Sequence, residues 1–318
     1  MDPTQVANKA QEVVHAVETA VVGKTDTVNL CVAVLLAGGH LLIEDIPGVG
    51  KTTLAKAISK ALGLQFKRIQ FTPDLLPSDI TGSSIFNQKT GEFELRKGPV
   101  FASVVLADEI NRTTPKTQSA LLECMEEHQV TIDGEPCELP TPFLVIATQN
   151  NIEMSGTYPL PEAQLDRFMA RLTLGYPNRA AEAQILDGQQ HSHPVDRIES
   201  VTDANEVEQM QHVVRDVYVE ESVRNYLLDI ISGTRLHPSL LLGSSPRGAL
   251  SLMHLSQATA AMDGREYVKP DDIKRLAPSV LSHRVIIRPE QRVRGVTASA
   301  CIQEILNSVN VPAGQFSR

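Results

Sequence analysis

Apolar residues recur along this chain with two different periods, and the change from one to the other divides it. Val13, Val17, Ala20 and Val21 stand at helical spacing. Val22-Gly23-Lys24-Thr25 interrupts them, and a second helix runs through Val28, Val32 and Leu35-Leu36 to a Gly38-Gly39 stop. Short apolar runs then alternate with helical stretches, predicting strands at 41–45, 66–71, 104–108 and 143–148. Runs of that length between helices imply a mostly parallel sheet covered on both faces.

Two segments break the alternation. Ile85-Phe86 and Glu92-Phe93-Glu94-Leu95 flank Lys89-Thr90-Gly91 and predict a β-hairpin. Gln129-Val130-Thr131-Ile132 and Cys137-Glu138-Leu139 flank Asp133-Gly134 and predict another. The strand signal ends near Gly175-Tyr176-Pro177-Asn178. Beyond it the pattern is helical, over 180–186, 205–214, 221–231, 246–262 and 271–281. Thr202, Ser245 and Pro270 read as starts, Gly233 and Gly264 as stops. We expect an α/β domain over residues 1–176 and an all-helical domain over 177–318.

At 318 residues the chain is long enough for two cores. Its net charge of −9 disfavours sequence-independent attachment to nucleic-acid phosphates, which calls for a basic surface. Cys31, Cys124, Cys137 and Cys301 stand singly, as expected of buried thiols in a reduced, cytoplasmic protein. The first 22 residues are too polar for a secretory signal, and no apolar run approaches the ~20 residues of a membrane span. His191-Ser192-His193 has no carboxylate or thiol at ligand spacing and reads as a solvated loop.

Chemistry concentrates after the predicted strands. Ile46-Pro47-Gly48-Val49-Gly50-Lys51-Thr52-Thr53 joins a strand to a helix, an arrangement that cradles nucleotide phosphates on backbone N–H groups. Lys51 would reach the β- and γ-phosphates and the Thr52 hydroxyl would take a Mg2+ position, while Pro47 stiffens the turn. Asp45 stands where such loops usually have their first glycine. Val104-Val105-Leu106-Ala107 ends in Asp108-Glu109. Adjacent carboxylates at a buried strand end repel each other, so the pair makes sense where a metal and a water are held. Asp108 would hold Mg2+ and Glu109 would act as general base.

Asn150 follows the 143–148 strand and would orient the water or bond the γ-phosphate. Arg167 closes the short proline-opened helix Pro161-Glu162-Ala163-Gln164-Leu165-Asp166. It reads either as an ion pair with Asp166 or Glu162, or as a finger reaching a neighbouring subunit's γ-phosphate. Arg247 lies in the first turn of a helix opened by Ser245-Pro246, where a cation is unfavourable without an anionic partner. That partner would be either a surface carboxylate or the phosphates, over which Arg247 would close from the second domain.

In order, IEDIPGVGKTTLAKAIS, VVLADEINR, FLVIATQNN, GTYPLPEAQLDRF and SPRGALSL closely resemble the MoxR family of AAA+ ATPases across essentially the whole chain. The resemblance implies a three-layer αβα P-loop domain with two hairpin inserts, followed by a helical lid. It implies Walker A roles for Lys51 and Thr52, Walker B roles for Asp108 and Glu109, and sensor 1 at Asn150. Arg167 would be the arginine finger and Arg247 sensor 2. Val22 and Gly23 would pack the adenine, with Pro47, Gly48, Val49, Gly50 and Thr53 completing the nucleotide contacts. It further implies a nucleotide-dependent homo-oligomeric ring, usually hexameric, that remodels or matures client proteins, often by metal or cofactor insertion. A partner with a von Willebrand factor A domain would act in trans.

The expected activity is Mg2+-dependent ATP hydrolysis. Two readings compete: a nucleic-acid motor or transcription regulator, hinted at only by Lys89, Arg96 and Lys97, and a nucleotide-regulated scaffold with little turnover. Glu109, Asn150 and Arg167 argue against the scaffold. Should the finger lie elsewhere, Arg112 and Arg171 are the next residues to consider.

Overall fold

The computed structural model describes residues 1–150, 156–189 and 193–312. His191 and Ser192 of the predicted loop lie outside the described residues. Asp2 caps the first helix, α1 (Pro3–Glu18), by accepting from the Gln5 N–H at 2.8 Å. After α2 (Thr25–Leu36) come β1 (Leu41–Glu44), α3 (Lys51–Ala61), β2 (Phe66–Gln70) and a single turn, α4 (Pro77–Thr81). The hairpin β3 (Gly82–Asn87) with β4 (Glu92–Lys97) precedes β5 (Val104–Asp108) and α5 (Pro115–Glu127). A second hairpin, β6 (Gln129–Ile132) with β7 (Glu135–Glu138), leads to β8 (Leu144–Gln149), α6 (Glu162–Leu165) and β9 (Ala170–Leu172).

These strands form a five-stranded parallel sheet in the order β2-β5-β8-β1-β9. Side chains alternate across it, as the pleat requires. Leu41, Ile43, Val104, Leu106, Leu144 and Ile146 enter the core shared with α1, α2 and α3. Leu42, Val105, Ala107, Val145 and Ala147 enter the core under α5. Burial on both faces explains the unbroken apolar runs, and the three αβα layers follow. Sequence pattern misses β9, which has three residues and so shows no period.

The remaining helices are α7 (Arg179–Gly188), α8 (Ala204–Arg215), α9 (Glu221–Leu236), α10 (Pro246–Met262), α11 (Pro270–Leu281), α12 (Pro289–Val293) and α13 (Ala298–Ser308). The helical half is not wholly helical: β10 (Leu240–Leu242) pairs antiparallel with β11 (Ile286–Ile287). Two further expectations change. Asp203, not Thr202, caps α8, accepting from the Glu206 N–H at 2.9 Å. Gly233 does not stop α9 but lies within it, because a β-carbon there would come within 2.7 Å of Ile305 on α13. Glycine lets the two helices approach closely. Cys31, Cys124 and Cys301 are buried, whereas Cys137 on β7 is only half-buried, and no disulfide links them. No described helix is long and apolar enough to cross a membrane.

Candidate active site

The strand register brings Gln70 beside Asp108 and Glu44 beside Gln149, so the carboxyl ends of four strands share one edge of the sheet. Ligands of such sheets bind beyond that edge. The loop from β1 to α3 sits there, with Gly48 and Gly50 at φ 84° and 94°, left-handed values that a side chain would strain. Lys51 Nζ donates to the Asp45 carbonyl at 2.7 Å. Burial pushes the Lys51 ammonium below its ordinary value, while Asp45, Asp108 and Glu109 pull it back. All three carboxylates are therefore within electrostatic reach of this amine.

Asp45 does more than replace a glycine. Its Oδ1 accepts from the Ile46 N–H at 2.8 Å, and its Oδ2 accepts from the N–H groups of Leu174 and Gly175, each at 2.6 Å. The loop is thus tied to the segment leaving β9. Thr52 and Thr53 occupy the first turn of α3. Val22 and Gly23 lie in the turn between α1 and α2, and a β-carbon on Gly23 would approach Ala181 of α7 to 3.2 Å.

Asp108 is buried, and each of its oxygens accepts hydrogen bonds. Thr148 Oγ1 donates to Oδ1 at 2.7 Å, while Arg68 reaches Oδ2 from Nε at 3.0 Å and Nη2 at 2.6 Å. The Thr148 hydroxyl in turn accepts from the Glu109 N–H at 2.8 Å. Glu109 sits at φ 59°, ψ 50°, a left-handed conformation that costs a non-glycine residue about 1–3 kcal/mol and clusters at active sites. Its Oε2 accepts from Gln70 Nε2 at 2.9 Å and Arg112 Nε at 3.1 Å. Arg112 is therefore engaged with the carboxylate of its own chain. Asn150 follows β8 directly and is only 5% exposed, its carbonyl accepting from Asn111 Nδ2 at 3.4 Å. Residues 151–155 lie outside the described set.

Sequence reading misses Arg68 and Thr148. Thr148 had a usable signal, a hydroxyl inside an apolar run, whereas Arg68 lies on the exposed face of an edge strand. Arg171 donates to Glu44 Oε2 at 3.0 Å beside the same edge.

Arg167 and Arg247 are elsewhere. β9 runs parallel to β1 with Ala170 opposite Leu41, and the Met169 N–H donates to the His40 carbonyl at 2.8 Å. Arg167 therefore lies at the amino-terminal edge of the sheet, a strand length of about 13 Å plus the loop away from Lys51. It pairs with Glu126 Oε2 at 2.9 Å, not with Asp166 or Glu162. Arg247 bonds Glu126 Oε1. Of the two partners expected for Arg247, the structure shows the surface carboxylate: the first turn of α10 faces the end of α5, away from the protomer's own phosphate loop. The two arginines line a cavity of about 200 Å³ with Gly38, His40, Met125 and Ser251.

A phosphate-loop strand and helix on this sheet, with paired carboxylates at the β5 tip, define an ATPase of the AAA type. Residues 40–170 match the ATPase family associated with various cellular activities (AAA), and residues 232–305 match the AAA lid domain. The chain is 52% identical to the uncharacterised protein YeaC of Bacillus subtilis, over 94% of this chain and 93% of that one. It is 36% identical to the chaperone MoxR1 of Mycobacterium tuberculosis, over 95% and 82%. The crystal structure of a candidate ATPase from Cytophaga hutchinsonii superposes with a TM-score of 0.91 at 39% identity, covering 98% of this chain and 97% of its own. The chain belongs to the MoxR family of AAA+ ATPases.

Proposed function

We propose that this ATPase acts as a hexameric ring that hydrolyses Mg2+-ATP at each subunit junction and uses the cycle to remodel or mature a client protein. The carrying observation is the placement of Arg167 and Arg247 on the edge of the sheet opposite Lys51, Asp108 and Glu109. Two cations converging on a small cavity so far from their own phosphate loop suit the triphosphate of a neighbouring protomer.

In this reading, residues 1–176 form the nucleotide-binding core and 177–318 the lid. The N–H groups of Gly48, Val49, Gly50, Lys51, Thr52 and Thr53 bind the phosphates across a turn set by Pro47, and Val22 and Gly23 take the adenine. Lys51 exchanges the Asp45 carbonyl for phosphate oxygens. Thr52 and Asp108 hold Mg2+, and a hydroxyl with a buried carboxylate is the hard oxygen set this ion prefers. When bound, the ion neutralises charge on the β- and γ-phosphates. Among the described residues no three His, Cys, Asp or Glu side chains gather as a metal site, so substrate and water would have to complete the shell. Glu109 takes a proton from the attacking water as the new P–O bond forms and ADP leaves. Asn150 orients that water. Arg167 and Arg247 of the neighbouring protomer stabilise charge on the transferring phosphoryl group.

Client work is supported by the relative named as a chaperone and by the exposed first hairpin, where Phe86 and Phe93 are 50% and 73% exposed and meet edge to face at 5.3 Å. We assign metal or cofactor insertion, with a von Willebrand factor A domain partner, as the form this work takes. The hairpin lends nothing to a nucleic-acid motor: Glu92 and Glu94 stand among its basic residues, and Lys97 lies over the Phe101 ring at 4.9 Å.

Mixing Glu109→Gln with Arg167→Ala protomers tests the ring. Each variant alone should lose most turnover, and mixed rings should regain part of it, because an Arg167→Ala protomer supplies the base at a junction where its Glu109→Gln neighbour supplies the finger. A mixture no more active than its components would remove the shared site.

A further inference from the structure

The turn that carries Arg167 receives a cluster of side-chain hydrogen bonds from the helical half of its own protomer. Arg284, just past α11, has a side chain only 1% exposed. Its Nε donates to Asp166 Oδ1 at 2.9 Å. Its Nη2 donates to the carbonyls of Asp166 at 3.1 Å and Phe168 at 2.7 Å, and to Ser251 Oγ at 3.1 Å. Its Nη1 donates to the Met169 carbonyl at 3.1 Å and to the Val280 carbonyl. Beside it, His283 Nε2 lies 3.0 Å from the Phe168 carbonyl, and Ser245 Oγ donates to Asp166 Oδ2 at 2.9 Å. Burial lowers the Arg284 guanidinium to about 10 with Asp166 opposing, so it stays charged at neutral pH.

A fork of donors reaching residues 166, 168 and 169 at once fixes the direction of the intervening residue 167. Lysine, a point charge on a flexible stem, cannot reproduce that grip. Ser245 belongs to the same cradle and stands two residues before Arg247, so one frame in the helical half presents both arginines of the cavity.

We propose that Arg284 is a positioning residue for hydrolysis in the neighbouring protomer: it sets the 166–169 turn, and through it aims Arg167 across the subunit junction. This rests on the shared-site reading above. It makes the finger a property of the lid as much as of the core. Whatever moves the helical half of one protomer then moves the finger serving the next.

Turnover in mixed rings separates this role from a merely structural one. Arg284→Met alone should lose about 100-fold in kcat, the size of loss that misplacement by roughly 1 Å brings, with KM changed less than about threefold. Arg284→Lys should recover only part of the loss. Mixed with Glu109→Gln, Arg284→Met should regain turnover as fully as Arg167→Ala does in the same mixture, since its own phosphate loop and base are intact. Mixed with Arg167→Ala it should regain none. Recovery for Arg167→Ala but not for Arg284→Met would overturn the inference alone. Failure of both would overturn the shared site and the inference with it. If Arg284→Met does not fold, Ser245→Ala carries the same comparison, because that hydroxyl bonds Asp166 and makes no cap bond to α10. Normal turnover in Ser245→Ala and Arg284→Lys together would likewise overturn it.

Discussion

The two edges of the central sheet differ in how they are finished. At the carboxyl edge, Lys51, Asp108 and Glu109 lie within reach of one another, supported by Arg68, Gln70 and Thr148. At the amino edge, Arg167 and Arg247 meet a single carboxylate, Glu126, over a small cavity. The first gathers carboxylates and an amine from several strand ends; the second sets two guanidinium groups on one protein carboxylate. Acids at one edge and arginines at the other are the complementary halves that the proposed ring would bring together.

The largest expected effect comes from the amino edge. Arg167→Ala should lower turnover by about 10³-fold or more while nucleotide affinity changes little, measured as steady-state hydrolysis beside equilibrium binding. Loss of affinity equal to the loss of turnover would place the side chain in its own protomer's site. Glu109→Gln should follow at about 10²–10³-fold, with ATP still retained; equal rates in parent and variant would take the base role from Glu109. Thr148→Val should cost about tenfold, because both the buried Asp108 and the strained Glu109 lose a partner. An unchanged rate there would show that the carboxylates hold themselves. Glu126→Gln should change turnover least, by under about threefold, since in the proposed ring the arginines would have exchanged this partner for phosphate.

A pH series probes a buried histidine of the amino edge. His40 is buried there, bonded through Nε2 to the Met125 carbonyl and through Nδ1 from the Val145 N–H, each at 3.0 Å. Burial pushes it down to about 4, from an ordinary 6.5. The unfolded chain therefore binds this proton first as pH falls. The stability it contributes is complete above about 6.5 and drains away towards 4, about 2 kcal/mol having gone at pH 5. Melting temperature should drop over that interval in the parent and less in His40→Gln. Parallel profiles would exclude His40 as the cause.

Much of the carboxyl edge was legible in the sequence because its signals are local. A strand, a glycine loop and a helix follow one another within a few residues, and Asp108-Glu109 violates the expected chemistry of a strand end. The amino edge was not legible. Arg167 read naturally as a partner of Asp166 or Glu162, which are near in sequence, whereas its actual partner lies on α5 and looks like any solvated glutamate. Arg247 is a case of the same kind: a helix start predicts a need for an anion but not which one, and of a surface carboxylate or the phosphates the structure shows the carboxylate, Glu126. β9 and the β10–β11 pair were too short for a period to show. Gly233 looked like a stop because nothing nearby in sequence announces Ile305 across the helix interface.

With aspartate at position 45, the carboxylate spans from the phosphate loop to the amides of residues 174 and 175, where the chain crosses from the sheet towards the helices. A glycine could make no such span. Any displacement of the loop must either drag those amides along or surrender two hydrogen bonds, so a single side chain acts as a tether between the glycine loop and the segment leaving β9.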